Sequence, residues 1–344
     1  VRYLSDRTVR HLRRVAEWPD LGETKYRLIE ELGRGGMGAV YLAEDTVLGR
    51  RVALKVLGAA AAAPGSVERL WNEARILARL EHPGIVPIHD AGALPDGRVY
   101  YAMKRVDGKR LDELAPSLSR AERLRAFQRI CEAVAFAHAR GVLHRDLKPE
   151  NVMVGSFGEV LVMDWGVAKA LDASAGAPAP DSDLTRPDTT AAGAVVGTLA
   201  YMAPEQAEGA TDRLGAAADI YGLGAILYFL FCGRAPFEGE RAEDRARGAA
   251  RVEPVPLRRS NPTVPAALEA IVGRAMALEP GRRYAGAEEL SDDVSRYLDG
   301  ERVLAHEEGL VERARRLLVR YRTPILIVLA YVVVRAALIV FGRR

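Results

Sequence analysis

Apolar and polar positions alternate in short runs through the first third of the chain. Tyr26-Arg27-Leu28-Ile29 predicts a first strand. Ala39-Val40-Tyr41-Leu42-Ala43 predicts the arm of a hairpin, and Arg51-Val52-Ala53-Leu54-Lys55-Val56-Leu57 a third strand. An alanine-rich link then leads to a predicted helix from about Ser66 to Leu80, with Leu70, Ala74, Leu77 and Ala78 on one face. Val86-Pro87-Ile88-His89-Asp90 and Arg98-Val99-Tyr100-Tyr101-Ala102-Met103 complete a small sheet around the turn Pro95-Asp96-Gly97.

Beyond residue 120 the rhythm becomes helical. Ala121 to Arg140 places Leu124, Phe127, Ile130, Cys131, Val134 and Ala135 on one face, and Gly141 supplies its end. A strand is predicted at Val160-Leu161-Val162-Met163. Residues 172–194 are rich in Ala, Pro, Asp, Ser and Thr without any period, which predicts a segment that stays mobile until something orders it. Ile220 to Phe231 is apolar all round but too short for a membrane span, hence a buried core helix. The expected class is α+β: a small antiparallel β-rich part with one helix, a larger helical part, and a last apolar helix. Residues 1–25 read as an Arg-rich extension.

Composition changes this picture little, with 344 residues, 49% hydrophobic and 28% charged. Charge distribution changes it more. The net charge is +3, and the eight arginines between Arg313 and Arg344, with no acidic residue among them, leave −5 on the remainder. The basic balance belongs to the tail, which points to a membrane flank and away from nucleic acid. Two cysteines, Cys131 and Cys232, lie in apolar helical patterns and suit a reducing compartment.

The densest chemistry lies in His144-Arg145-Asp146-Leu147-Lys148-Pro149-Glu150-Asn151. An acid, a lysine and an amide within six residues are what phosphoryl transfer requires: a carboxylate for a hydroxyl, a cation for the migrating phosphate, an oxygen ligand for Mg²⁺. Leu32-Gly33-Arg34-Gly35-Gly36-Met37-Gly38-Ala39-Val40 contains G-x-G-x-x-G, whose glycines let backbone N–H groups approach phosphate oxygens. A dinucleotide-binding loop reads the same way but would open a helix, whereas β-rich sequence follows here. Lys55 sits on an apolar strand and must find a counter-charge or face a groove. Glu73, inside the Ser66–Leu80 helix, fits that role best, with Glu68 and Glu81 as rivals on spacing. Asp164-Trp165-Gly166 follows a strand eighteen residues after Asp146 and offers a second carboxylate.

Over roughly residues 26 to 300 the chain resembles the Hanks-type (eukaryotic-like) serine/threonine protein kinases in their bacterial form. The resemblance implies a bilobal fold, with an N-lobe at 26–106, a hinge near Met103 to Val106, a C-lobe at 107–300 and ATP with Mg²⁺, or Mn²⁺ in its place. It implies that residues 32–40 cover the nucleotide, that Ala53 and Val40 flank the adenine, and that Met103 guards the back of the pocket. Lys55, held by Glu73, would meet the α- and β-phosphates. Asp146 would orient the substrate hydroxyl, Lys148 would meet the γ-phosphate, and Asn151 and Asp164 would bind the metal. Lysine at 148 resembles the serine/threonine-specific form of the loop.

By the same resemblance Thr198 would reach toward Asp146 and Lys148, Glu205 of Ala203-Pro204-Glu205 would pair with Arg283, and Asp219 would brace the catalytic loop. Ser182, Thr185, Thr189 and Thr190 are candidate phosphosites, whose phosphate could pair with Arg145. Phosphorylation between two copies of the chain would place a kinase dimer among its partners, beside ATP and protein substrates. Two departures stand out: Lys104-Arg105 where many relatives carry an acidic and an aromatic residue, and Trp165 where the family usually has Phe.

Pro324 to Gly342 would reach about 28 Å as a helix, close to the ~30 Å hydrocarbon core. Arg335 opposes insertion by roughly 3 kcal/mol, against about −0.3 to −0.6 for each of twelve Leu, Ile, Val and Phe residues. The expectation is a basic juxtamembrane segment at 301–322 and a single span at 323–342 in the inner or plasma membrane. The arginines before it outnumber those after it, which puts the kinase side in the cytoplasm. A hydrophobic helix packed on protein is the competing reading of this stretch. For the whole chain the rivals are a nucleotide-binding pseudokinase scaffold and a small-molecule phosphotransferase.

Overall fold

The computed structural model describes residues 18–35, 38–57, 75, 77–165, 199–208, 215–237, 252–309, 311–314 and 322–341. Gly36, Met37, Glu68, Glu73, Ser182, Thr185, Thr189, Thr190 and Thr198 lie outside them, as do most of the helix expected at Ser66–Leu80 and residues 1–17. The chain divides into two compact units, Val1–Leu114 with Ala133–Thr198, and Ala115–Glu132 with Leu199–Arg344.

In the first unit β1 (Tyr26–Gly35), β2 (Gly38–Asp45), β3 (Arg50–Leu57), β4 (Ile88–Ala93) and β5 (Val99–Lys104) form an antiparallel sheet in the order β1-β2-β3-β5-β4. The period of two sorts the side chains of β3. Val52, Leu54 and Val56 are buried with Tyr41, Tyr100 and Ala102. On the opposite face Ala53 packs with Val86, Met103 and Leu161, flanked by Val40 and Tyr101. Lys55 shares that face, and the register pairs it with Val40 on one side and Tyr101 on the other.

A second sheet runs β6 (Gly108–Arg110), β7 (Val152–Gly155) and β8 (Val160–Val162), in that order. Strands of three or four residues are too short to show a period, so β6 and β7 have no signature in the sequence. Gly108 is required there by contact, since a Cβ would lie 2.2 Å from the Val154 carbonyl oxygen.

Helix α1 (Arg120–His138) begins in the second unit and ends in the first. It stops two residues short of the sequence expectation because Gly141 turns left-handed, with φ 72°. The Gly141 and Val142 N–H groups then donate back to His138 and Ala137.

The second unit is built on α2 (Ala216–Cys232), α3 (Ala266–Ala275) and α4 (Ala287–Leu298). Helix α2 starts three residues before Asp219, which was expected to begin it and lies buried in its first turn. Every residue from Ala218 to Phe231 is buried, as befits a helix apolar all round. Gly224 permits the close approach of the 275–276 segment: a Cβ would meet Met276 Cγ at 2.7 Å and the Ala275 Cβ at 2.8 Å. The expected Glu205–Arg283 pair is present and bidentate, at 2.6 and 2.9 Å, with Arg283 also donating to the carbonyls of Ala217 and Ala277.

The segment after α4 is held to this unit. Buried Asp293 accepts from the backbone N–H groups of Leu304 and Ala305 and from the Tyr284 hydroxyl. Helix α5 (Arg322–Phe341) forms where the apolar run predicted one, and the side chains described in it, 326–335, are all exposed. Among the described residues no helix is long and apolar enough to cross a membrane.

Candidate active site

The first unit holds the segment 144–151 together with the sheet that carries Lys55, so the site can be assembled within one unit. Arg145 has φ 65° and Asp164 has φ 54°, a left-handed backbone that non-glycine residues adopt at a cost of about 1–3 kcal/mol. Each is bridged by a hydrogen bond between its neighbours: the Asp146 N–H donates to His144 Nδ1 across Arg145, and Trp165 Nε1 donates to the Val162 carbonyl across Asp164.

Asp146 is fixed from three sides. Lys148 Nζ lies 2.9 Å from its Oδ2, and Asn151 Nδ2 donates to the same oxygen at 3.0 Å and to the Asp146 carbonyl at 2.8 Å. Its backbone N–H donates to His144 Nδ1 at 3.3 Å. That bond makes Nδ1 the acceptor, so Nε2 carries the proton and donates to the Met163 carbonyl at 2.9 Å. The turn Pro149–Asn151 follows, with proline at its first position, where a missing N–H costs nothing. It delivers Asn151 beside the carboxylate five residues upstream.

Lys55 Nζ lies 2.6 Å from Asp164 Oδ1, with the lysine side chain 12% exposed and the carboxylate 42%. Burial by itself pushes the lysine pKa down. The Tyr101 hydroxyl and the Asp164 carboxylate outweigh it and hold Lys55 above its ordinary value, so it is a cation at neutral pH. Glu73, the expected partner, lies outside the described residues; among the described residues the carboxylate in contact with Lys55 is Asp164. Tyr101 was not anticipated as part of this set, although its cross-strand pairing with Lys55 follows from the alternation in β3 and β5.

Asp164 and Asn151 suit a hard divalent cation. Asn151 spends its amide N–H₂ on the two acceptors of Asp146, which turns its Oδ1 away from them. Asp164 keeps a carboxylate oxygen beyond the one facing Lys55. Oxygen donors of this kind fit Mg²⁺, which takes few protein ligands and completes its shell with water and phosphate oxygens.

Ala53, Val86, Met103 and Leu161 form a buried apolar cluster with Val40 and Met163 packed against it, and among these Val40, Ala53 and Met103 are the residues expected at the adenine ring. Gly33 and Arg34 of the glycine-rich loop are exposed at the end of β1, and Gly38 and Ala39 open β2. Leu32 is 51% exposed at the same edge.

Trp165 is buried, its ring centroid 4.7 Å from that of His144, and its indole Nε1 donates to the Val162 carbonyl at 3.1 Å. The sequence pointed to a large ring at this position. It did not show a hydrogen bond, which phenylalanine could not make.

This combination of sheet, glycine-rich loop, half-buried lysine and acid–lysine–amide segment defines a protein of the kinase-fold class. The model of the protein kinase domain family matches residues 26–293, and the chain belongs to that family. It is 37% identical over 301 residues to the serine/threonine-protein kinase PknD of Protochlamydia amoebophila, covering 80% of this chain and 30% of that protein. It is 36% identical over 286 residues to the serine/threonine-protein kinase PrkC of Bacillus subtilis, covering 81% and 41% respectively. The chain thus spans well under half the length of these relatives. Among solved structures it superposes on the Mycobacterium tuberculosis PknI kinase domain with a TM-score of 0.61, at 29% identity, over 80% of this chain and 96% of that one.

Proposed function

We propose that this chain transfers the γ-phosphate of ATP to serine and threonine hydroxyls of proteins. The observation that carries the reading is the Asp146–Lys148–Asn151 network, held in the same unit as the Lys55–Asp164 pair. Asp146, a carboxylate aimed by two donors, orients the incoming hydroxyl and accepts its proton. Lys148 places a cation within reach of that carboxylate and of the oxygens of the transferring group. Lys55, held charged, neutralises the phosphates that remain on the nucleotide. Bound Mg²⁺, held by Asp164 and Asn151, would neutralise charge on the phosphate oxygens.

Regulation and placement belong to the same proposal. The polar run with Ser182, Thr185, Thr189 and Thr190 supports activation by phosphorylation of that segment, passed between two copies of the chain. The arginines of 313–322, followed by α5 with its exposed apolar side chains, support attachment to the bilayer through 323–342, with the kinase side cytoplasmic. Recovery of the chain from the membrane fraction after an alkaline wash is the expected result. Complete release by that wash contradicts the attachment.

The test of the activity is γ-labelled ATP with Mg²⁺ on the full chain in detergent, with a generic protein substrate and mapping of the labelled residues. Label on serine and threonine is expected, including on Thr185, Thr189 or Thr190. Retained nucleotide binding without any label would favour the pseudokinase scaffold instead.

A further inference from the structure

Trp165 does more than fill the volume that phenylalanine fills in the usual motif. We propose that it is a positioning residue: its indole N–H closes the Val162–Trp165 turn and thereby holds Asp164 in its Lys55-facing, metal-binding arrangement. This rests on the kinase reading above and names what sets the metal dependence of that same site.

Four observations meet at this turn. Asp164 has a left-handed backbone at φ 54°, a conformation that persists only where neighbours over-determine it. The Trp165 indole donates at 3.1 Å to the carbonyl of Val162, three residues earlier, so the bond spans the strained residue. Among the described residues that carbonyl also accepts a 3.4 Å contact from the Val86 N–H, longer than the bond from the indole. Finally, the ring of Trp165 packs at a tilt of 54° against His144, whose Nε2 donates to the carbonyl of Met163, inside the same turn.

The turn is thus tied at Val162 by the indole and at Met163 by the imidazole. Met163 donates its own N–H to the Asn151 carbonyl at 2.8 Å, which couples the turn to the second metal-side residue. A phenylalanine would keep the ring contact and lose the first tie. Trp165 is 3% exposed and Val162 0%, so water does not replace the lost indole donor at the Val162 carbonyl without cost.

The experiment compares the full wild-type chain with Trp165→Phe and with a semisynthetic chain carrying benzothienylalanine at 165, which has the shape of tryptophan without the N–H. The readout is the Mg²⁺ concentration that half-saturates binding of a non-hydrolysable ATP analogue, followed by calorimetry. Melting temperature and hydrogen exchange of the indole N–H are measured alongside. We expect a slowly exchanging Trp165 indole proton, and a half-saturating Mg²⁺ concentration raised about 3- to 10-fold in both variants. Analogue binding without Mg²⁺ should not change.

A benzothienylalanine chain with wild-type Mg²⁺ dependence overturns the inference, whether or not the Phe variant shifts, because volume alone would then account for the residue. Equal losses with and without Mg²⁺ also overturn it, since they indicate general loosening. Phosphate transfer by the wild type, assayed on the same preparation, decides the kinase reading separately.

Discussion

At the residue scale the arrangement depends on where each polar atom is committed. Asn151 is identifiable from the octet as an amide near an acid. Its role in aiming Asp146 becomes visible only when the turn Pro149–Asn151 brings Nδ2 to both acceptors of that residue. The left-handed backbone at Arg145 and Asp164 left no trace in the sequence, because neither residue is a glycine.

Glu150 gives a test at this scale. Its Oε2 is buried without a hydrogen-bond partner among the described residues, and burial raises its pKa, with Asp112 adding to the effect. A carboxyl whose folded pKa is raised binds its proton more tightly in the native state. Folding then gains as pH falls from above the folded pKa to below the unfolded value of about 4.3. The cost of the charge is therefore present at neutral pH. Glu150→Gln should raise the melting temperature at pH 7 to 8, and the gain should vanish near about pH 4. A melting temperature at pH 7 that falls on this substitution contradicts the assignment.

At the element scale the apolar rhythm foretold α1, α2 and most of the five-stranded sheet, because their burial is continuous and their lengths exceed several periods. It missed β6 and β7, whose pairing is decided by the partner strand and by glycine contacts. It also placed the start of α2 too late, since Ala216-Ala217-Ala218 carries helical propensity without a strong apolar signal. The Glu205–Arg283 pair came from the resemblance alone, the partners lying 78 positions apart in the sequence. The side chains of Arg283 and Glu205 are 0% and 6% exposed, so among the described residues the two charges are compensated by each other, by carbonyl groups and, for Arg283, by the Tyr221 ring. Arg283→Met should cost about 3–5 kcal/mol by leaving a buried carboxylate unpaired. The double variant with Glu205→Gln should recover part of that loss. A denaturant titration checks both, and a single variant within experimental error of wild type would show that the pair is dispensable.

At the scale of the whole molecule the end of the family match and the end of the folded unit differ. The match stops at residue 293, yet Asp293 is the residue that captures the chain beyond it, through Leu304 and Ala305. The segment expected to be juxtamembrane from 301 thus begins as part of the second unit, with Val303 buried at 3% exposure. A chain ended after Gly300 loses two hydrogen bonds to a buried carboxylate, each worth about 1.5–3 kcal/mol. It should melt well below one ended after Gly309. Equal melting temperatures would mean that the Asp293 contacts contribute nothing to the fold.

The claim on which the rest depends is that Asp146 performs phosphate transfer in a site that binds nucleotide independently of it. The most direct measurement is the single-turnover rate of γ-phosphate transfer by the full chain and by Asp146→Asn, with ATP-analogue affinity determined for each. The account predicts a rate lower by about 10²–10⁴-fold in the variant, with affinity unchanged. Transfer at the wild-type rate by Asp146→Asn, or a wild type that binds the analogue with Mg²⁺ and transfers nothing to any hydroxyl, would contradict it.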